Sequence, residues 1–475
     1  MTKIRKLFKG FICLGIVTAQ AQQPPLSLED CVTLALEKNI NIKQSQLDVQ
    51  NAGIDQMDAF GNFLPSVNLT TSHFWNNGLN QNITTGLLEN LTTEFSSFQG
   101  NIGVDIFKGL QNINQYRRAQ LNILAQQYRM ADMADDVSLF VANAYLQVVL
   151  NKEVLVVQEQ QLETTQLELA RTKELVEAGV LTPRDLFELE ANLATQEQSF
   201  VLAENNYRLS KINLAQLLLI TDYNNFEIAL EDFSIPFPSI LEKNPKEIFE
   251  KALTFRNDMK LAKTNIDIAQ KDLDIAKGAL YPRLSGFYSY STRITYNDRL
   301  IGAGTFSTVP LGYVAGTGDL VVREFEDQTI AAPLSFADQF SLYDGHNFGL
   351  QLSIPVFNGN SLSNSVKRSK VNLERSKNIF GQQELDLETS VNQAFNDSKG
   401  SYKLYEASLK TEVATQRAAQ DALERFQAGA MNSFDYVQAK QRHEAAVSDA
   451  IRAKFDYVFK LKVLEFYFGL PLEIN

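Results

Sequence analysis

Cysteine and histidine are scarce in this chain, two and three residues in 475. That leaves little material for redox chemistry or a metal centre, so neither a metal nor a cofactor is expected. His443 sits in "RHEAAV", where Val447 occupies the place of the second histidine of a zinc helix. His73 and His346 lie in strand-like runs with no evident partner. No Ser–His–Asp or Cys–His pattern is found, and an enzyme is not expected. Positive charge is also short. Formal net charge is −12 and no basic stripe is evident, which argues against nucleic acid as a partner. "GAG" and "GTGD" in the stretch from Tyr296 to Ser341 are not followed by a helical pattern, so neither reads as a phosphate loop; this Gly-rich stretch is expected to be a long outward loop. Beyond the N-terminus there is no apolar run of 18 residues or more, so no transmembrane helix is expected. Membrane contact would have to come from a β-barrel or from the surface.

What is present begins with an export signal over residues 1–21. Lys3, Arg5, Lys6 and Lys9 form a basic start, Phe11 to Ala19 an apolar stretch, and Ala19-Gln20-Ala21 a cleavage site. Cleavage would remove Cys13, whose "GFIC" context is a poor match to a lipidation motif. Cys31 then remains alone and is expected as a small core residue.

The rest, 22–475, reads as one domain built from two repeats, 27–220 and 245–470. An offset of 250 aligns "FKG" at Phe107 with "FNG" at Phe357, Gly179 with Gly429, and Leu214 with Leu464, without a gap. Upstream, an offset of 217 aligns "FLP" ending at Pro65 with "LYP" ending at Pro282. Each half shows a helical segment (about 28–60 and 246–278), two strand-like runs, then a long helical tract. The strands are expected at about 66–76, 96–107, 283–296 and 341–357. Phe98, Ile102, Val104 and Ile106 alternate with Gln99, Asn101 and Asp105; Phe348, Leu350, Leu352, Ile354 and Val356 alternate with Gln351 and Ser353. Such alternation fits an outer-membrane barrel strand, and equally a half-exposed sheet in a soluble domain.

The helical tracts carry heptads: Tyr116, Ile123, Met130, Val137 and Ala144 in the first half, and Val366, Leu373, Phe380, Leu387 and Ala394 in the second. They specify either coiled-coil packing or an ordinary amphipathic bundle. Each tract is interrupted once. Gly179 stands where a helix ends, Thr182 is an N-cap, Pro183 fits the first helical position and Asp185 the third. Gly429, Asn432, Ser433 and Asp435 repeat the series. Both stretches therefore read as tips of antiparallel helical hairpins. Whether Asp185 and Asp435 do more than cap is left open. Four strands cannot close a barrel, since about eight are needed, so strands that enter a membrane require several copies of the chain.

The mature chain is similar throughout to the outer-membrane factors of the TolC family. The resemblance rests on the duplicated plan, on "IPVFNG" at Ile354 to Gly359, and on the paired A-G-x(5)-D tips. It implies an α+β, mainly α fold, with long antiparallel coiled-coil helices forming a periplasmic α-barrel. Three chains would share one 12-stranded β-barrel in outer-membrane lipid of a Gram-negative bacterium. It further implies a passive exit duct of a tripartite efflux or type I secretion system. The tips, with Gly179, Thr182, Pro183, Asp185, Gly429, Asn432, Ser433 and Asp435, would meet a periplasmic adaptor and, through it, an inner-membrane pump. Asp435, Gln438 and Asp185 would line an entrance constriction, and Pro65, Gly109, Pro282, Pro355 and Gly359 would mark the strand–helix junctions. The chain departs from the family pattern at Gln438, where a second acid is expected, and at Met431, where a base is expected. The family's salt-bridged gate is therefore not carried over, and Asp435 is left as a threefold acidic ring favouring cations. The alternative function is a soluble periplasmic coiled-coil adaptor or structural protein.

Overall fold

A computed structural model describes residues 25–82, 86–223, 225–229 and 239–470. The export signal, Cys13, and parts of the 224–239 connector and of the C-terminal "GLPLEIN" lie outside them. The helices are α1 (Leu28–Lys38), α2 (Ile40–Gly61), α3 (Gln111–Glu177), α4 (Pro183–Leu217), α5 (Pro245–Phe255), α6 (Asn257–Gly278), α7 (Phe336–Leu342), α8 (Ser361–Gln427) and α9 (Ser433–Phe468). The strands are β1 (Ser66–Gln81), β2 (Leu88–Lys108), β3 (Arg283–Thr295), β4 (Arg299–Tyr313), β5 (Leu320–Ala331) and β6 (Gly345–Ser353).

Element bounds recur along the chain. α3 and α8 both have 67 residues and start 250 positions apart. Non-helical positive φ recurs at the same spacing: Gly109 and Gly359, Leu110 and Asn360, Gly179 and Gly429, Leu219 and Gly469. The expected helices 28–60 and 246–278 are each broken once, at Asn39 and Arg256, where ψ turns extended. The break at Asn39 is a cap, its Oδ1 accepting from the Asn41 N–H at 2.8 Å. The break at Arg256 is held by its guanidinium, which pairs both oxygens of Asp258 at 2.8–3.1 Å.

The described residues within 1–50, 125–263 and 378–475 form one compact unit, entirely helical apart from its connectors. Its main cluster packs Leu28, Cys31 and Ala35 of α1 against Val137, Val141, Tyr145 and Val148 of α3, Leu214 of α4, and Phe455 and Val458 of α9. Cys31 is fully buried, which pushes its thiol pKa up to about 12. A second cluster joins Ile248 and Ala252 of α5 to Leu387, Val391 and Phe395 of α8 and Tyr457, Leu461 and Leu464 of α9. The heptad residues Phe380, Leu387 and Ala394 all pack there. Contrary to the sequence expectation, α3 does contain an 18-residue window apolar enough to cross a membrane by length and composition. Val141, Tyr145, Val148 and Val149 of that helix are buried in the protein core, while Phe140 is 65% exposed.

Residues 51–124 and 264–377 form the other unit. Its antiparallel sheet has the order β1-β2-β3-β6. The register places Val67 beside Ile102, Ile102 beside Tyr288 and Tyr288 beside Phe348, so one face is apolar across all four strands. That face is open: Val67 is 70% and Phe348 76% exposed. The other face is polar and cross-tied, by Arg283 to Asp105 at 2.7 Å and by Ser289 to Asn101 at 2.8 Å. The histidines do have partners. His73 Nδ1 lies 2.8 Å from Ser96 Oγ and its Nε2 3.3 Å from Glu94, while His346 Nδ1 lies 2.7 Å from Tyr288 Oη. The pairing of neighbouring strands supplies these contacts. The stretch expected as an outward loop is instead the β4–β5 hairpin followed by α7. Its alternation is obscured by register shifts near Gly302 and Gly312.

Candidate functional site

The two interruptions in the long helices fold alike. At the end of α3, Gly179 has φ +76°; its N–H donates to Val176 O at 3.0 Å, and the Val180 N–H to Leu175 O at 2.9 Å. At the end of α8, Gly429 has φ +72°; its N–H donates to Phe426 O at 3.0 Å, and the Ala430 N–H to Arg425 O at 2.8 Å. Both are Schellman terminations, in which a left-handed residue lets the chain turn back and satisfy the last carbonyls. The N-cap of the next helix stands three residues later, at Thr182 and at Asn432. Asp185 Oδ2 accepts from the Thr182 N–H at 3.0 Å and from Thr182 Oγ1 at 2.6 Å, and Pro183 is the first residue of α4. In the second turn Asn432 Oδ1 accepts from the Asp435 N–H, and Asn432 Nδ2 donates to Asp435 Oδ2, both at 2.8 Å.

The turns are joined to each other. Asp185 Oδ1 accepts the backbone N–H of Ser433, the first residue of α9, at 3.3 Å. Partial burial pushes the Asp185 carboxyl up, but the hydrogen bonds from Thr182 and Ser433 outweigh it and hold the pKa below the usual carboxylate value. Asp185 thus caps one helix and ties the start of another. Asp435 bonds only within its own turn and is exposed, as is Gln438. Met431 packs with Leu181 and Leu423 onto the buried cluster of Leu189, Ala422, Phe426, Tyr436 and Val437. Phe426 and Tyr436 stack with centroids 5.2 Å apart and planes 4° from parallel.

Behind the turns lies a polar node between α3, α4 and α9. Lys440 is only 7% exposed, and its Nζ donates to Glu168 Oε2 at 2.6 Å and to Thr165 Oγ1 at 2.9 Å. Tyr436 Oη donates to Glu168 Oε1 at 2.6 Å. Burial and the Glu168 carboxylate hold the Tyr436 hydroxyl protonated, well above its ordinary pKa. Gln441 Nε2 donates to Asn192 Oδ1 at 3.0 Å. Glu444 Oε1 stands 3.9 Å from Lys440 Nζ and has no hydrogen-bond partner. Burial pushes its pKa up to about 7, against the pull of Lys440 and Gln196. Sequence reading missed this node, because Lys440 and Glu168 are 272 positions apart. The only local signal was a lysine on the apolar stripe with Tyr436 and Val437. His443 is half-buried, with Nδ1 3.5 Å from Thr415 Oγ1.

The junction residues sit at element ends. Pro65 precedes β1, Pro282 precedes β3, and Pro355 follows β6. Gly109 and Gly359 take positive φ just before α3 and α8. At Gly109 space is limiting too. A Cβ there would overlap the Gly278 carbonyl, and one on Gly278 would stand 2.5 Å from Gly109 O. A Cβ on Gly359 would meet nothing. No group of three or more His, Cys, Asp or Glu positioned to hold a metal occurs among the described residues.

The family model described as "Outer membrane efflux protein" matches residues 31–218 and 248–469. Among solved structures, the outer membrane protein VceC of Vibrio cholerae superposes with a TM-score of 0.72 at 13% identity, over 94% of this chain and 97% of that one. The CmeC outer membrane channel of Campylobacter jejuni superposes with a TM-score of 0.70 at 17% identity, over 93% and 85%. These likenesses carry the fold. The alkaline protease secretion protein AprF of Pseudomonas aeruginosa is 23% identical over 128 residues, a stretch that spans 27% of either chain.

Proposed function

The chain belongs to the outer membrane efflux protein family, and from that premise we propose that it is the passive exit duct of a tripartite efflux or secretion system. It is an outer-membrane channel of a Gram-negative bacterium, with its helices on the periplasmic side. The observation that carries the duct reading is the sheet. It has an open apolar face, a polar opposite face, and edge strands β1 and β6 that pair with nothing else among the described residues. Open edges are not viable in lipid. Three copies, each adding β1-β2-β3-β6, close a 12-stranded barrel with the cross-tied polar face lining water. The equal lengths of α3 and α8, starting 250 positions apart, support an internal duplication. A soluble adaptor has no use for an apolar sheet face.

In this reading the two turns form the periplasmic entrance and present Gly179, Thr182, Pro183, Gly429 and Asn432 to an adaptor. Asp435 and Gln438 face the opening, while Asp185 ties the turns of one chain. The duct performs no chemistry; energy comes from the inner-membrane partner. AprF is a secretion protein, and that similarity supports a secreted polypeptide as cargo. The test is the physical state of the protein. A trimer that is extracted from the outer membrane only by detergent, and stays associated in mild detergent, is expected. A soluble periplasmic monomer would overturn the proposal.

A further inference from the structure

Between β5 and β6 the chain does not return straight to the sheet. It first forms the seven residues of α7, which lie on the apolar sheet face. Phe336 and Phe340 meet Phe98 of β2 edge-on at 5.7 and 5.6 Å, and Phe340 meets Tyr290 of β3 at 6.1 Å. Gln339, 2% exposed, fixes the helix in place. Its Nε2 donates to Thr295 O at 2.9 Å and to Leu334 O at 2.8 Å, and its Oε1 accepts the Thr295 N–H at 2.9 Å. It thereby satisfies the end of β3 as a neighbouring strand would. Thr292 Oγ1 adds a bond to Phe340 O at 3.2 Å. On its outer side α7 exposes Phe336, Leu342 and the following Tyr343, with Leu342 63% exposed.

The position of α7 along the sheet is what matters. On one side of it the face carries Ile102, Val104, Tyr288, Phe348 and Leu350 without a charge. On the other side the chain turns polar at once, at Asn297, Asp298 and Arg299. Trp75 and Tyr296 flank His73 at this same level, with centroid separations of 4.1 and 5.6 Å. Aromatic side chains with a polar end belong at the boundary between hydrocarbon and water. We propose that α7 is an interfacial anchor, seated in the headgroup–acyl boundary of the outer leaflet, where it sets the depth of the sheet. The occupant is lipid rather than a second copy, because α7 covers the middle strands β2 and β3. Another copy would join at the edges, β1 and β6.

This inference rests on the reading that the apolar face is in lipid, and the test separates the two. Trp75 is the chain's only tryptophan, so Trp75→Phe gives a dark background. Leu342→Trp or Phe336→Trp then reports on α7, and Phe348→Trp on the open face below it. The full-length protein is reconstituted in phosphatidylcholine vesicles carrying lipids brominated near the headgroup or near the bilayer centre. The α7 probes should lose most of their emission to the shallow bromines and little to the deep ones, while Phe348→Trp is quenched by the deep ones. If Phe348→Trp is quenched and both α7 probes are not, the anchor is refuted and the barrel stands. If none is quenched by either lipid, both fail.

Discussion

At the scale of single residues, the chain separates glycines that supply only a backbone conformation from those that also supply space. Gly359 and Gly109 hold equivalent positions with φ +61° and +58°, but only Gly109 abuts another backbone. Gly359→Ala should cost about 1 kcal/mol, the strain of a left-handed alanine. Gly109→Ala should cost several times more, because the Gly278 carbonyl must also move. Unfolding midpoints of the two variants in detergent check this, and equal losses would show that the close approach of Gly109 to Gly278 is immaterial. Glu444 makes a second prediction. An acid whose pKa is raised by folding, here from 4.5 to about 7, favours the folded state when protonated. Its penalty is absent below about pH 4.5 and complete above about pH 7, at most on the order of 3 kcal/mol. Stability should therefore fall as pH rises from 5 to 7, and Glu444→Gln should flatten that slope and raise stability at neutral pH. The slope that remains belongs in part to Asp132, pushed up to about 6 by burial and by the carboxylates of Asp258 and Asp136, and to Asp135, also raised by burial. Thermal melts followed by circular dichroism across this range decide it; an unchanged slope removes Glu444 from the titration.

At the scale of elements, the helix turns depend on backbone N–H groups that proline lacks. Gly179→Pro or Gly429→Pro removes the bond to Val176 O or Phe426 O and forbids the positive φ. Either substitution should abolish export while leaving the protein assembled in the membrane, read as substrate efflux against the yield of detergent-extracted trimer. Normal export in both variants would remove the turns from the entrance. These turns were legible in the sequence because their demands fall on the residues themselves: a left-handed position needs glycine, and a helix start needs Thr, Asn or Asp. The alternating strand faces were legible for a similar reason, since a period of two is local. What was not legible depends on distant groups. The helix break at Arg256 is held by a guanidinium pair. β4 and β5 are masked by bulges, and α7 exists because Gln339 replaces a strand for Thr295. The second role of Asp185 needs Ser433, 248 positions away. The caps of the candidate site could be read locally, but its ties could not.

At the scale of the whole molecule, the proposed threefold duct would place three copies of Asp435 at its mouth, each bonded only within its own turn. Asp435→Ala should then reduce the preference for cations in planar bilayers, whereas Gln438→Ala should not. Unchanged selectivity would return Asp435 to capping alone. The sheet has a further consequence, for the order in which the molecule is made. The β1–β2 hairpin closes within a short stretch of chain, and each long helix is local. The β2–β3 seam, however, joins Phe95 to Thr295, on opposite sides of α3 and α4. Loop closure must precede the reward of such a distant pairing, which makes this seam slower to form than the hairpins and helices beside it. Until it zips, each half holds a short ribbon with apolar side chains and free edges, the form most prone to stick to the wrong neighbour. Folding yield in the periplasm should therefore respond to how fast the two halves of one chain find each other, more than to the strength of any single contact in the finished duct.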